Sequence, residues 1–222
     1  MEQLVRELII QGVLKSDQII SAFQNIHRAD FVPVSAKHFA HINEPLSIGF
    51  GQTISQPWTV AFMLELLNPK PGEKILDVGS GSGWQTALLS FCVSRDSKGV
   101  ELPKEKQGKV FGLERIPELA KESIKNLSKY NFLRKGVAEI HCLNAEFGFP
   151  KEAPFDKIIA AASAEEIPEK WKEELRNRGI LVAPIKSRIM RLLKEKGEFS
   201  EEFYEGFSFV PFIKDEKSSH EK

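Results

Sequence analysis

Apolar residues recur every three or four positions over residues 2–13 (Leu4, Val5, Leu8, Ile9) and again over 17–26 (Ile19, Ile20, Phe23, Ile26). That is the spacing of two amphipathic helices, with Ser16 or Asp17 standing where the second would be capped. Both read as a cover over one edge of a larger body. Pro33 breaks the pattern, because proline disfavours helix in the residue before it. Residues 37–57 show no helical period and are punctuated by Pro45, Gly49, Gly51 and Pro57. Their Ile48, Phe50 and Ile54 are too apolar for disorder, so an ordered loop over the active face is expected. Helical spacing returns at Val60, Met63, Leu64 and Leu67 and stops near Asn68-Pro69.

Beyond residue 74 the period changes. Short apolar runs at 75–78, 110–113, 138–143, 155–161 and 180–184 read as strands, and the Ile-rich fourth run suits a central parallel position. Between them lie helical stretches at 84–93, at 117–130 with Pro117 in its first turn, and at 165–175 with Gly179 as its C-cap. Alternation of this kind predicts a doubly wound α/β sheet, mostly parallel. Two apolar runs, 189–193 and 207–213, predict a closing antiparallel hairpin, and residues 94–108 read as a solvated surface loop. A single domain over 1–213 is expected, with 1–57 contributing helices and loop and 214–222 a disordered tail.

Composition narrows the function classes. The 222 residues hold 31 basic and 31 acidic side chains, so bulk charge argues for neither a nucleic-acid nor a membrane partner. No apolar run approaches the roughly 20 residues of a membrane span, and the first residues do not form a secretory leader. Cys92 and Cys142 sit in apolar runs and read as buried free thiols, with no metal-ligand pair. A cytoplasmic monomer is expected.

Chemistry concentrates at the strand ends. Ile75-Leu76-Asp77-Val78 runs into Gly79-Ser80-Gly81-Ser82-Gly83 and then into the helix opening at Trp84. Strand, glycine-rich turn and helix together bring backbone N–H groups toward a nucleotide-like ligand. A dinucleotide fingerprint would need a third glycine at position 84, which is Trp84, and this argues against a nicotinamide oxidoreductase. Glu114 closes the second strand, where an acidic residue accepts from both ribose hydroxyls, and Asn144 closes the third. His27, His38, His41 and His141 lack partners at ligand spacing and read as surface or satisfied core residues. The aromatic stripe Phe199, Phe203, Tyr204, Phe207 and Phe209 reads as packing.

Several segments together resemble the protein-L-isoaspartate O-methyltransferase family, from Leu4-Val5-Arg6-Glu7, Phe31-Val32-Pro33 and Pro45-Leu46-Ser47-Ile48-Gly49 at one end to Phe209-Val210-Pro211 at the other. Gly51-Gln52-Thr53-Ile54-Ser55-Gln56-Pro57 is the most specific of them, and 76–83, 114–119, 153–156 and 166–168 carry the rest. The resemblance implies a Rossmann-like methyltransferase that uses S-adenosyl-L-methionine, releases S-adenosyl-L-homocysteine, and methylates isoaspartyl-containing proteins. It implies Ser55 as the active-site position and Thr53, Ile54, Ser55 and Gln56 as substrate contacts. The implied cofactor contacts are Asp77, Gly79, Ser80, Gly81, Gly83, Trp84, Glu114, Arg115, Asn144 and Ala145. Leu143-Asn144-Ala145 departs from the family's usual Gly-Asp-Gly, Trp84 replaces a usual tyrosine, and the loop 94–108 is long. The amide oxygen of Asn144 still accepts an N–H there. The rivals are a methyltransferase of the same fold with another substrate and a non-catalytic descendant that binds cofactor or isoaspartyl peptide.

Overall fold

Alternating side chains divide each central strand between two cores. In β3 (Lys74–Val78) Ile75 joins one apolar cluster while Leu76 and Val78 join the other, the period of two that a pleated strand imposes. The computed structural model describes residues 2–211. The expected tail at 214–222, and the end of the run 207–213, lie outside the described residues.

The sheet has seven strands in the order β5-β4-β3-β6-β7-β8-β9. Besides β3 these are β4 (Lys109–Glu114), β5 (Ala138–Cys142), β6 (Phe155–Ala160), β7 (Leu175–Ile185), β8 (Arg188–Glu195) and β9 (Glu198–Glu205). Strands β3 to β7 are parallel, and β8 and β9 close the sheet antiparallel. Strand order reverses between β3 and β6, the topological switch at which open α/β sheets bind ligands.

The two faces are covered unequally. Helices α1 (Glu2–Ile10), α2 (Asp17–Asn25), α3 (Pro57–Leu67), α4 (Trp84–Ser94) and α5 (Pro117–Ser128) all contribute to one core. The short α6 (Glu169–Glu174), with Phe149 and Ile167, covers the other. Every residue of α4 is buried, so its weak amphipathicity is that of a helix enclosed on all sides. The carboxylate of Glu65 accepts from the amides of Lys15 and Ser16 and from the Ser16 hydroxyl, pinning the start of α2 to α3.

Several expectations are corrected. The loop at 37–57 contains a 3-10 turn and a two-stranded antiparallel ribbon, β1 (Leu46–Gly49) and β2 (Gln52–Ile54). Helix α6 starts only after Pro168 and ends at Glu174. Gly179 is no C-cap but part of β7, and the left-handed residue nearby is Arg178 (φ 64°). The partner of β8 is β9, a mostly exposed strand, and not the apolar run from Phe207. That run instead packs its aromatic rings on α3, with Phe207 5.3 Å from the Phe62 ring centroid and 6.1 Å from that of Trp58. Cys92 is buried as expected, whereas Cys142, last in edge strand β5, is exposed. Phe199 and Phe203 are also exposed, with Lys194 and Arg188 lying over their rings, so only part of the aromatic stripe is core packing.

Candidate active site

Three residues with positive φ in five positions, Gly79 (76°), Gly81 (54°) and Gly83 (93°), turn the chain from β3 into α4. Only glycine adopts this conformation freely, and at Gly83 a Cβ would also collide with the hydroxyl of Ser123 on α5. Four of the turn's five amides are used inside the protein. Gly79 and Ser80 donate to the Leu113 carbonyl, Gly83 donates to the Ser80 carbonyl, and Gly81 donates to Glu114 Oε2 at 2.9 Å. The turn therefore offers a bare backbone surface where the sequence pattern predicts a cradle of free N–H groups.

Beneath it, Asp77 is fully buried and lines none of the three spaces of the site. Its oxygens accept from Gln85 Nε2 (2.7 Å) and Thr86 Oγ1 (2.5 Å), tying β3 to the first turn of α4. Burial pushes its carboxyl up to about 6, against the partial relief of those two hydrogen bonds. Asp77 and Gly83 thus shape the turn without lining the site, unlike the other expected cofactor residues.

The strand ends form a narrow cavity. Gly79, Gly81, Glu114, Arg115, Asn144 and Ala145 line it together with Ile48, Gln52, Thr53 and Val210. Glu114 is held rigidly, its second oxygen accepting from the Ile116 amide at 2.9 Å. Each of its oxygens keeps further lone-pair capacity for a ligand donor. Asn144 Oδ1 accepts from the Glu146 amide at 3.0 Å and caps a 3-10 turn. Behind this turn, Trp171 Nε1 donates to the Ala145 carbonyl (2.7 Å) and the Phe149 amide donates to Glu174, whose carboxyl is pushed up by burial.

A second, smaller cavity continues from the first between the glycine turn and β2. It is lined by Thr53, Ile54, Ser55, Gly79, Ser80, Trp84 and Gln85. Two of its residues, Ser80 and Trp84, hold buried polar atoms, Oγ and Nε1, that make no hydrogen bond within the protein. Unmet buried donors are costly, and both of these residues line this cavity. A third space, an open groove of about 650 Å³, runs from Ser55, Gln56 and Trp58 to the segment Gly206–Val210. The Gln56 side chain is occupied, its Nε2 donating to the Asn43 carbonyl and its Oε1 accepting from Thr59, so it shapes the groove wall. Thr53 and Ala161 line all three spaces, and Ser55 lines the second cavity and the groove.

Ala161 and the 206–210 segment escape a sequence reading. Ala161 follows the end of β6 as Asn144 follows β5, and that position is the signal that could have found it.

A parallel sheet with its site at the switch point, a glycine turn after β3 and a buried acid closing β4 define the chain as a methyltransferase of Rossmann-like fold that uses S-adenosylmethionine. The model of the protein-L-isoaspartate(D-aspartate) O-methyltransferase (PCMT) family matches residues 1–217, and the chain belongs to that family. It is 37% identical over 220 residues to a protein-L-isoaspartate O-methyltransferase of Methanopyrus kandleri, covering 97% of this chain and 92% of the relative. Its likeness to the Staphylothermus marinus protein of the same name is 38% identity over 207 residues, covering 91% and 88%. Among solved structures it superposes with a TM-score of 0.83 and 26% identity on a protein described as a protein-L-isoaspartate O-methyltransferase from Plasmodium falciparum in complex with S-adenosyl-L-homocysteine. That match covers 95% of this chain and 97% of the other. No helix among the described residues is long and apolar enough to cross a membrane.

Proposed function

We propose that this enzyme transfers a methyl group from S-adenosylmethionine to the α-carboxylate of L-isoaspartyl residues in proteins, and that its three connected spaces divide the reaction among them. The observation that carries this division is the junction at Thr53 and Ala161, where the two cavities at the strand ends meet an open groove. When bound, S-adenosylmethionine supplies an electrophilic methyl group on a sulfonium. The residues fit it: Glu114 accepts from the ribose hydroxyls, Asn144 and Ala145 hold the adenine, and Ser80 and Trp84 satisfy their unmet polar atoms on the amino-acid end.

The substrate carboxylate is ionised at neutral pH, so no general base is needed. With the cofactor bound, the chemistry it would supply is displacement of its methyl group by a carboxylate oxygen, the C–S electron pair departing with sulfur. The protein's task is alignment and exclusion of water. Ser55 orients the carboxylate by donating its hydroxyl, while Thr53 and Ile54 form the wall between carboxylate and sulfonium. The methyl ester then collapses to a succinimide without the enzyme, and hydrolysis partly restores normal aspartate. The reading extends to one domain over 1–213, acting as a cytoplasmic monomer.

Methyl transfer from labelled cofactor to an isoaspartyl peptide, beside its normal-aspartyl twin, tests the assignment. Transfer to the isoaspartyl form alone is expected. Silence on both peptides, with S-adenosylhomocysteine binding intact by calorimetry, would replace an enzyme by a binding protein. Ser55→Ala removes a hydrogen bond to a charged group, roughly 1.5–3 kcal/mol, and is expected to lower turnover about 10- to 100-fold with cofactor affinity unchanged. A collapse of cofactor affinity instead would move Ser55 to the cofactor side.

A further inference from the structure

Arg28 lies wholly inside the protein, on the turn that follows α2, with none of its surface exposed. Among the described residues no carboxylate pairs with it. Burial alone lowers its basicity, to about 10, so it remains charged at neutral pH. A buried charge without a counterion persists only if dipoles replace its water. Five backbone carbonyls do so for the two terminal nitrogens, whereas the buried Nε makes no hydrogen bond. Nη1 donates to Ala40 (3.3 Å) and Ile42 (3.2 Å), and Nη2 donates to Glu44 (2.7 Å), Ile54 (3.4 Å) and Ser55 (3.1 Å).

The arrangement of these carbonyls is informative. Glu44 lies just before β1, and Ile54 and Ser55 lie at and just after the end of β2, so one nitrogen spans the open end of the ribbon. That ribbon carries Gln52 and Thr53 into the cofactor cavity and delivers Ser55 to the groove. It is short, with three residue pairs and an irregular register at Gly49, and an isolated hairpin of that size is not stable in water. The other side of the guanidinium lies 5.5 Å from the centroid of the Trp84 ring, the wall of the inner cavity.

Resting on the methyltransferase reading above, we propose that Arg28 is a positioning residue that clamps the substrate ribbon at its base and locks it to the Trp84 wall, setting the Ser55 position relative to the transferred methyl group. A planar fork is required for this, since five carbonyls approach from two separate segments. A lysine keeps the charge but presents a single nitrogen.

Kinetics of Arg28→Lys and Arg28→Ala, with isoaspartyl peptide and cofactor varied separately, test the clamp. Expected is a fall of at least 30-fold in kcat/KM for the peptide in both variants, with S-adenosylhomocysteine affinity within about threefold of wild type. Amide exchange in 46–55 should accelerate while that of β3 and β4 does not. Guanidinium ion added to Arg28→Ala should recover peptide turnover, and methylammonium should not. Wild-type kinetics in Arg28→Lys, or loss of cofactor affinity in step with activity, overturns the proposal. So does a variant that does not fold at any temperature, which would assign Arg28 to the core alone. Absence of isoaspartyl-specific transfer by the wild type would instead overturn the functional reading beneath it.

Discussion

At the scale of the residue, Asp77 shows how a group can matter to a site it does not touch. Its carboxyl titrates at about 6 in the folded protein against an ordinary 3.8, because burial disfavours the charge. Below the lower value both states are protonated and no penalty exists. As pH rises between the two values the unfolded chain releases its proton while the folded one keeps it, so stability falls; above about 6 the loss is complete, about 3 kcal/mol. Asp77→Asn has no such titration. Urea unfolding of both proteins from pH 3.5 to 7 should therefore show the wild type losing stability relative to the variant across that window. Parallel curves would show the carboxyl to be unperturbed. Glu114 and Asn144 were legible because each is a polar residue directly after an apolar run, a pattern confined to a few positions. The use of the turn's amides by Leu113 and Glu114 was not, since those acceptors sit more than thirty positions away along the chain.

Elements explain the departure at 143–145. The turn there has lost the family's glycines and is braced from behind by α6, through Trp171 Nε1 on the Ala145 carbonyl and Glu174 on the Phe149 amide. A Cβ at Gly148 would strike the Glu174 carboxylate, so turn and helix fit closely. Trp171→Phe keeps an aromatic ring but shrinks the buried side chain and deletes one of the two donors to the Ala145 carbonyl, the Gly148 amide being the other, at a cost of about 1–3 kcal/mol. The expected result is a lower melting temperature and roughly tenfold weaker S-adenosylhomocysteine binding by calorimetry. Unchanged binding would show that the turn holds its shape without α6. The described part of the run 207–213, residues 207–211, was misassigned for a related reason. Its aromatic residues serve contacts with Trp58 and Phe62, about 150 positions earlier, and apolarity alone does not distinguish such packing from strand pairing. Conversely, β9 alternates exposed Phe199 and Phe203 with glutamates, and it gives no buried run to detect.

For the whole molecule, strand order and helix alternation put the site at the switch between β3 and β6, and these were the features most open to sequence reasoning. Six of seven strands, β8 among them, follow from apolar runs bounded by glycine, proline or charge, and only β9 does not. What the alternation leaves out is the far side of the groove, supplied by chain that returns after β9. Ala161 is the smallest residue at the junction of the three spaces. Ala161→Leu adds bulk there, with an overpacking cost of about 1–3 kcal/mol. The enzyme should stay folded by circular dichroism yet lose most peptide methylation, while retaining measurable S-adenosylhomocysteine binding. Full activity in that variant would mean that the reactants meet elsewhere.

The shared wall at Thr53 and Ala161 also bears on inhibition. Because nucleoside slot and peptide groove open into one another across two small side chains, a single molecule joining an adenosine analogue to an aspartyl peptide needs a linker of only a few atoms. Once one end has docked, the other is confined beside its own site at an effective concentration of about millimolar. Avidity then replaces two separate encounters, and such a conjugate would discriminate against methyltransferases whose acceptor site opens elsewhere.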